Sequence, residues 1–160
     1  MRNGAGITTA AQSANTIIGR LCAAICAGLV ASLMPGCVAI TPVDASLFTR
    51  MGGMPVIAAV VDETMDAVAA DPKTRRTFEG IKLGAVKRSV ASQVCALAGG
   101  DCKYEGESMK KAHTGLRITD TEFDVMVGAL RDALHRRVGE REKNELLRLL
   151  APMKRDIVGA

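Results

Sequence analysis

One residue stands out for the chemistry it could do: His113, which closes the run Tyr104-Glu105-Gly106-Glu107-Ser108-Met109-Lys110-Lys111-Ala112-His113. The chain has 160 residues and only two histidines. Near neutral pH an uncharged imidazole can ligate a metal through one ring nitrogen while the other N–H donates to a carbonyl that fixes the ring. The plainer reading is an ordinary, partly buried histidine four residues after Met109 on a helical stretch. The second histidine, His135, lies beside Arg136-Arg137 and reads as solvent-facing rather than as a second ligand.

Cysteine is the other reactive type, with five in the chain. Cys22 and Cys26 fall within an apolar N-terminal run and Cys37 at its end, which leaves Cys95 and Cys102 as a pair. Two thiols and distant histidines do not make the four-ligand spacing of a zinc site. Seven residues apart on one straight helix, Cys95 and Cys102 would be ~10 Å apart and could not bond. Gly99-Gly100 between them breaks the helix and lets the chain fold back. Two readings stand: a disulfide in an oxidising compartment, or two free thiols.

The compartment is suggested by the N-terminus. Residues 1–20 are small and polar with Arg2 and Arg20 as the only charges, Leu21 to Met34 is a charge-free apolar run, and Pro35-Gly36-Cys37 follow. A basic flank, a short apolar stretch and small residues are the parts of a secretory signal. The apolar run has about 14 residues, too few for a spanning helix, which needs ~20. Gly36-Cys37 is similar to the end of a bacterial lipobox, in which the cysteine is lipidated, although Met34-Pro35 replaces the usual Leu-Ala or Leu-Ser. Ordinary cleavage nearby, for instance after Ala39, is the alternative. The expectation is an exported protein, periplasmic or a membrane-anchored lipoprotein, with a signal over 1–36, a linker over 37–45 and one domain over 46–158.

Of the 21 Lys and Arg, Arg2 and Arg20 precede Cys37, leaving 19 against 17 acidic residues in the remaining chain of about 124. That is the size of a single domain. Its near-neutral balance, with both signs interspersed, gives no case for nucleic acid.

The elements that must position His113 are helical. Ser46 to Met51 suggests one turn, ended by Gly52-Gly53, and Pro55 suits the first position of the next helix. Val56, Ala59, Val60, Met65, Val68 and Ala69 recur at helical spacing, and Asp71-Pro72 stops that helix near Ala70. A short irregular piece carries Arg75, Arg76 and Phe78. Leu83, Val86, Val90, Val94 and Leu97 predict a helix over roughly 82–98, and a short helix follows around 108–114. Thr119-Asp120-Thr121-Glu122 is a capping box opening a helix with Phe123, Met126, Val127, Leu130 and Leu134. A last helix covers roughly 140–157, kinked at Pro152. No stretch alternates long enough for a strand. The chain has only three Phe and one Tyr, little for a plain helical bundle, and a flat apolar group filling part of the core would reconcile that poverty.

These residues together resemble the group I truncated haemoglobins across nearly all of 46–157. The resemblance rests on Ser46-Leu47-Phe48, Gly52-Gly53, Ala69-Ala70-Asp71-Pro72, Phe78-Glu79-Gly80, Gly99-Gly100, Tyr104 with Gly106, Met109-Lys110, Ala112-His113, Gly115, Ile118-Thr119, Phe123 and Pro152. Each motif alone is weak; their order and spacing, without obvious gaps from Gly52 to Phe123, carry the match. It implies an all-α fold, a two-on-two helical sandwich around one haem b. It implies His113 as the proximal iron ligand and Phe78 as the ring packed on the haem face. Met109, Phe123 and Met126 would be further apolar wall. Among Lys82, Lys87, Arg88 and Lys110, the motif order favours Lys87 and Lys110 as partners of the haem propionates.

The departures bear on mechanism. Group I members usually place a tyrosine where this chain has Met65, and often a polar residue where the register gives Val86 and Val90. An apolar distal side follows. Bound dioxygen carries negative charge on its outer atom, and a hydrogen bond to such an acceptor is worth ~1.5–3 kcal/mol. Its loss would weaken oxygen retention roughly 10–100-fold, at ~1.4 kcal/mol per decade, and carbon monoxide less. Gln93, one turn on, and the Met65 sulfur are the groups that could still reach the ligand site. The resemblance therefore implies pentacoordinate haem iron that reversibly binds a diatomic gas (oxygen, carbon monoxide or nitric oxide). An enzyme consuming nitric oxide or peroxide would need a polar distal group and an electron donor, against which Met65, Val86 and Val90 speak. A haem-free helical lipoprotein is opposed by His113 and Phe78.

Overall fold

Local chemistry sets where each helix begins and ends. The computed structural model describes residues 45–160, so the export signal over 1–36, Cys37 and most of the 37–45 linker lie outside the described residues. Ser46 opens α1 (Leu47–Arg50), its hydroxyl accepting from the Thr49 amide at 3.3 Å. Gly52 and Gly53 then turn the chain at φ 96° and 73°, where a Cβ would be strained. They lead into α2 (Gly53–Ala70). Pro55 is its third residue rather than its first, which is equally permissible because the first four amides of a helix have no partner within it.

A 3-10 turn (Arg75–Phe78) follows, then α3 (Leu83–Leu97), the short α4 (Met109–His113) and α5 (Asp120–His135). The capping box at the start of α5 is complete: Thr119 Oγ1 accepts from the Glu122 amide at 3.2 Å, and Glu122 Oε2 accepts from the Thr119 amide at 2.9 Å. The expected single helix over 140–157 is instead α6 (Glu140–Leu150), a 3-10 turn (Ala151–Met153) and α7 (Lys154–Ile157). Pro152 has no amide to donate and interrupts the ladder outright. Strand-like pairing among the described residues is limited to an isolated bridge between Ile118 and Val158.

The architecture is all-α and two-on-two: α2 packs on α3 and on α5, α5 packs on α6, and α1 touches both α2 and α6. The solid core is apolar, with Ile57 and Val60 of α2, Leu134 of α5 and Leu146 of α6 almost fully buried. Each such side chain contributes about 1.5–3 kcal/mol relative to exposure. One stripe of α5 divides in function. Ala133 and Leu134 are buried in this core, whereas Phe123, Met126, Val127 and Leu130, nearer its start, line a cavity.

Cys95 and Cys102 are disulfide-bonded, their Cα atoms 5.9 Å apart. The fold-back depends on Gly100, where a Cβ would come within 2.6 Å of Cys95 Sγ and 2.7 Å of the Phe48 ring. Closing a loop of sequence separation 7 stabilises the fold by roughly 2–3 kcal/mol in the chain-entropy account. The bond also ties the last turn of α3 to the loop that leads to α4, a junction reinforced by Ser92 Oγ donating to the Lys103 carbonyl at 3.0 Å.

Candidate functional site

A cavity of about 440 Å³ opens among α2, α3, α4 and α5. Val61, Met65 and Val68 of α2 line it, with Val86, Val90, Gln93 and Val94 of α3, Met109 and His113 of α4, and Phe123, Met126, Val127 and Leu130 of α5. Phe78, from the first 3-10 turn, lines it too, so the apolar residues that the sequence singled out share one cavity. The size and apolar wall suit a cofactor-sized organic molecule.

His113 is half-buried, and its Nδ1 lies 2.7 Å from the Met109 carbonyl oxygen. A carbonyl can only accept, so Nδ1 carries the proton and Nε2 holds the free lone pair. The helical step of four that joins Met109 to His113 provides this bond without any distant partner. Ser108 starts the helix, its hydroxyl accepting from the Lys111 amide at 3.3 Å, and Lys111 pairs with Glu107 at 2.8 Å. On the α3 wall, Gln93 Nε2 is 3.8 Å from Met109 Sδ, a weak acceptor. His135 takes no part: it is exposed, with Nδ1 3.1 Å from Glu140.

The two lysines expected at the cofactor do not line the cavity. Lys87 Nζ is 2.7 Å from Asp66 and 3.6 Å from Asp62, both on α2, and its hydrogen bond to Asp66 above all raises its pKa. Packing of α3 on α2 turns position 87 toward those carboxylates instead. Lys110 is exposed and makes no ion pair among the described residues, because the turn that aims Met109 and His113 inward carries position 110 to another face. Among the described residues no lysine or arginine lines the cavity; its polar members are hydroxyls, Gln93, His113 and two carboxylates.

Some lining residues were not assigned to the site from sequence. Tyr104 reaches the wall while its hydroxyl donates to the Glu107 carbonyl at 2.8 Å. Ile81, Leu116 and Ile118 belong to irregular segments without a period to reveal them. Val127 and Leu130, which the sequence placed on the same apolar stripe as Phe123 and Met126, share the wall with them.

Glu122 is a buried carboxylate at the cavity's edge. Its pKa is lowered to about 2, first by the Arg76 guanidinium and then by the Thr119 amide. A depressed folded-state pKa means that its stabilisation is complete above the ordinary glutamate range and disappears as pH falls toward 2. Equilibrium unfolding of the wild type is therefore expected to show a loss between pH 5 and pH 2 that Glu122→Gln lacks. Arg76 is half-exposed, and with that screening the difference is about 1–2 kcal/mol. Superimposable pH profiles for the two proteins would contradict the assignment.

A shortened helical sandwich that brings one imidazole, with a free Nε2, to the wall of an apolar cavity is the architecture of a small globin. The family model described as bacterial-like globin matches residues 46–158. A group 1 truncated haemoglobin of Mycolicibacterium paratuberculosis is 32% identical over 114 residues, covering 71% of this chain and 84% of the relative. Among solved structures, the truncated haemoglobin of Tetrahymena pyriformis in its Fe(III) form is similar with a TM-score of 0.69 at 22% identity, over 72% of this chain and 100% of the other. The 2/2 haemoglobin of Synechococcus sp., solved with covalently attached haem, gives a TM-score of 0.67 at 23% identity over the same shares, 72% and 100%. The chain belongs to the bacterial-like globins, in the group 1 truncated haemoglobin family.

Proposed function

We propose that this protein binds haem b through His113 and reversibly takes up a diatomic gas (oxygen, carbon monoxide or nitric oxide) against an apolar distal wall. One observation carries the reading: the Nδ1 proton of His113 is committed to the Met109 carbonyl at 2.7 Å, so Nε2 is the free donor of the only imidazole lining the cavity. That is the donor chemistry a haem iron takes from a proximal histidine. Phe78, Met109, Phe123 and Met126 would hold the macrocycle by apolar contact, and Met65, Val86 and Val90 would face the gas. When bound, the haem would supply an iron able to take up a diatomic ligand. The chain's part is to orient the imidazole, keep the wall dry and decide which ligands find a hydrogen-bond donor. Hydroxyl and amide groups that line the cavity would meet the propionates.

The same reading extends to the N-terminus. Residues 1–36 would serve as an export signal, with Cys37 lipidated and the globin domain of 46–158 held at the membrane face of an oxidising compartment, the setting in which the Cys95–Cys102 disulfide persists. Mass spectrometry of the native N-terminus distinguishes a diacylglyceryl Cys37 from an unmodified cut.

Titration of the full chain with haemin tests the central point. A Soret band saturating at one haem per chain, surviving gel filtration and shifting on reduction under carbon monoxide, is the expected result. A chain that loses its haem on the column would overturn the reading.

A further inference from the structure

Arg76 sits two residues before Phe78, yet its guanidinium is wholly engaged elsewhere. Nη1 donates to the Leu116 carbonyl at 3.1 Å, and Nη2 donates to the Arg117 carbonyl at 3.1 Å and to Glu122 Oε2 at 2.8 Å. Nε lies 2.7 Å from Glu122 Oε1, which makes the ion pair two-pronged. The carbonyls it holds belong to the turn directly after His113. Within that turn the Leu116 amide donates to the His113 carbonyl at 3.1 Å.

The turn is one that needs support. Gly115 and Arg117 have φ 84° and 49°, and Arg117 is the only non-glycine residue with positive φ among the described residues. An arginine there is disfavoured by its own Cβ. The C-terminal residues brace one flank, through Gly115 N–H to the Ala160 carbonyl at 3.2 Å and Gly159 N–H to the Ile118 carbonyl at 2.9 Å. Arg76 braces the other. It also joins the two segments that bring Phe78 and His113 to one cavity, across a sequence separation of 40.

We propose that Arg76, clasped to Glu122, is the positioning residue for the His113 imidazole, holding the turn after α4 in register with the turn that carries Phe78. The proposal rests on the haem reading above. A planar guanidinium satisfies two carbonyls and a carboxylate at once, which a lysine ammonium on a flexible stem cannot reproduce. Groups that hold a metal-binding histidine typically change metal affinity 10–100-fold when removed.

The test uses the full-length chain loaded with haem, as wild type, Arg76→Ala, Arg76→Lys and Arg50→Ala. Arg50 pairs with Glu142 and Glu145 and does not line the cavity, so its loss reports stability alone. Three quantities are read: haem loss to excess apomyoglobin, the iron–imidazole stretching band in resonance Raman, and amide exchange of residues 114–118 in the haem-free chain. Both Arg76 variants are expected to lose haem roughly 10-fold faster, to shift or broaden the band and to speed exchange in that segment. Arg76→Lys supplies the result if the alanine variant does not fold. Wild-type band and haem loss in the Arg76 variants, or equal changes in Arg50→Ala at matched thermal stability, would overturn the positioning role while leaving haem binding intact. A wild type that takes up no haem would remove both readings together.

Discussion

His113→Ala is expected to abolish stable haem retention, lowering affinity by at least roughly 100-fold. Removing a group that merely orients a metal-binding histidine costs 10–100-fold, and here the proposed ligand itself would be lost. His113 is the only imidazole lining the cavity, and His135 is exposed beside Glu140, so no second imidazole stands ready. The thioethers of Met65, Met109 and Met126 also line the cavity. Replacement of His113 by one of them would give an altered spectrum, not an unchanged one. His113→Gly with added imidazole is the complementary measurement: free imidazole should restore the Soret band and carbon monoxide binding, at a stability cost of about 1 kcal/mol for glycine in a helix. A Soret band in His113→Ala indistinguishable from wild type would sink the assignment.

Met65→Tyr is expected to slow oxygen release by roughly 10–100-fold and to change carbon monoxide release far less. Met65 is 4% exposed and lines the cavity with Val61 and Val68, its neighbours on the same face of α2. Val86 and Val90 add no polar atom, and the Gln93 amide is directed to Met109 Sδ at 3.8 Å. Oxygen in such a cavity would find no donor on Met65, Val86 or Val90. A tyrosine hydroxyl at position 65 supplies one, worth ~1.5–3 kcal/mol to a charged acceptor, which is the stated factor at ~1.4 kcal/mol per decade. The less polarised carbon monoxide gains less, so the ratio of the two effects separates a hydrogen bond from simple crowding. Stopped-flow release of both gases from the haem-loaded proteins measures it. Equal slowing of both would mean that the phenol blocks the exit, and no change would mean that position 65 does not face the gas.

Much of this site is legible one helix at a time. The period of Phe123, Met126 and Leu130, the capping box at Thr119 and the glycine pair at 52–53 depend on neighbours within a turn of the chain, so their residue types reveal them. The two lysines show where such reading ends. Lys87 and Lys110 are the cations favoured from the motif order, but proximity along a helix does not say which face a neighbouring helix covers. Asp62 and Asp66 of α2 take Lys87, and Lys110 stays at the surface.

By itself the sequence determined most of the helices, the capping box at Thr119, the glycine breaks, the apolar stripes of α2, α3 and α5, and His113 as the imidazole at the centre of the motif order, but not the division of 140–157 into α6, a 3-10 turn and α7. The features it determined arise from interactions a few residues apart. Only the tertiary structure decided that Cys95 and Cys102 meet, that Gln93 spans to Met109, and that Arg76 clasps Glu122 and the turn behind His113. Side chains distant in sequence meet only once helix packing sets their register. No local pattern of residue types encodes that register.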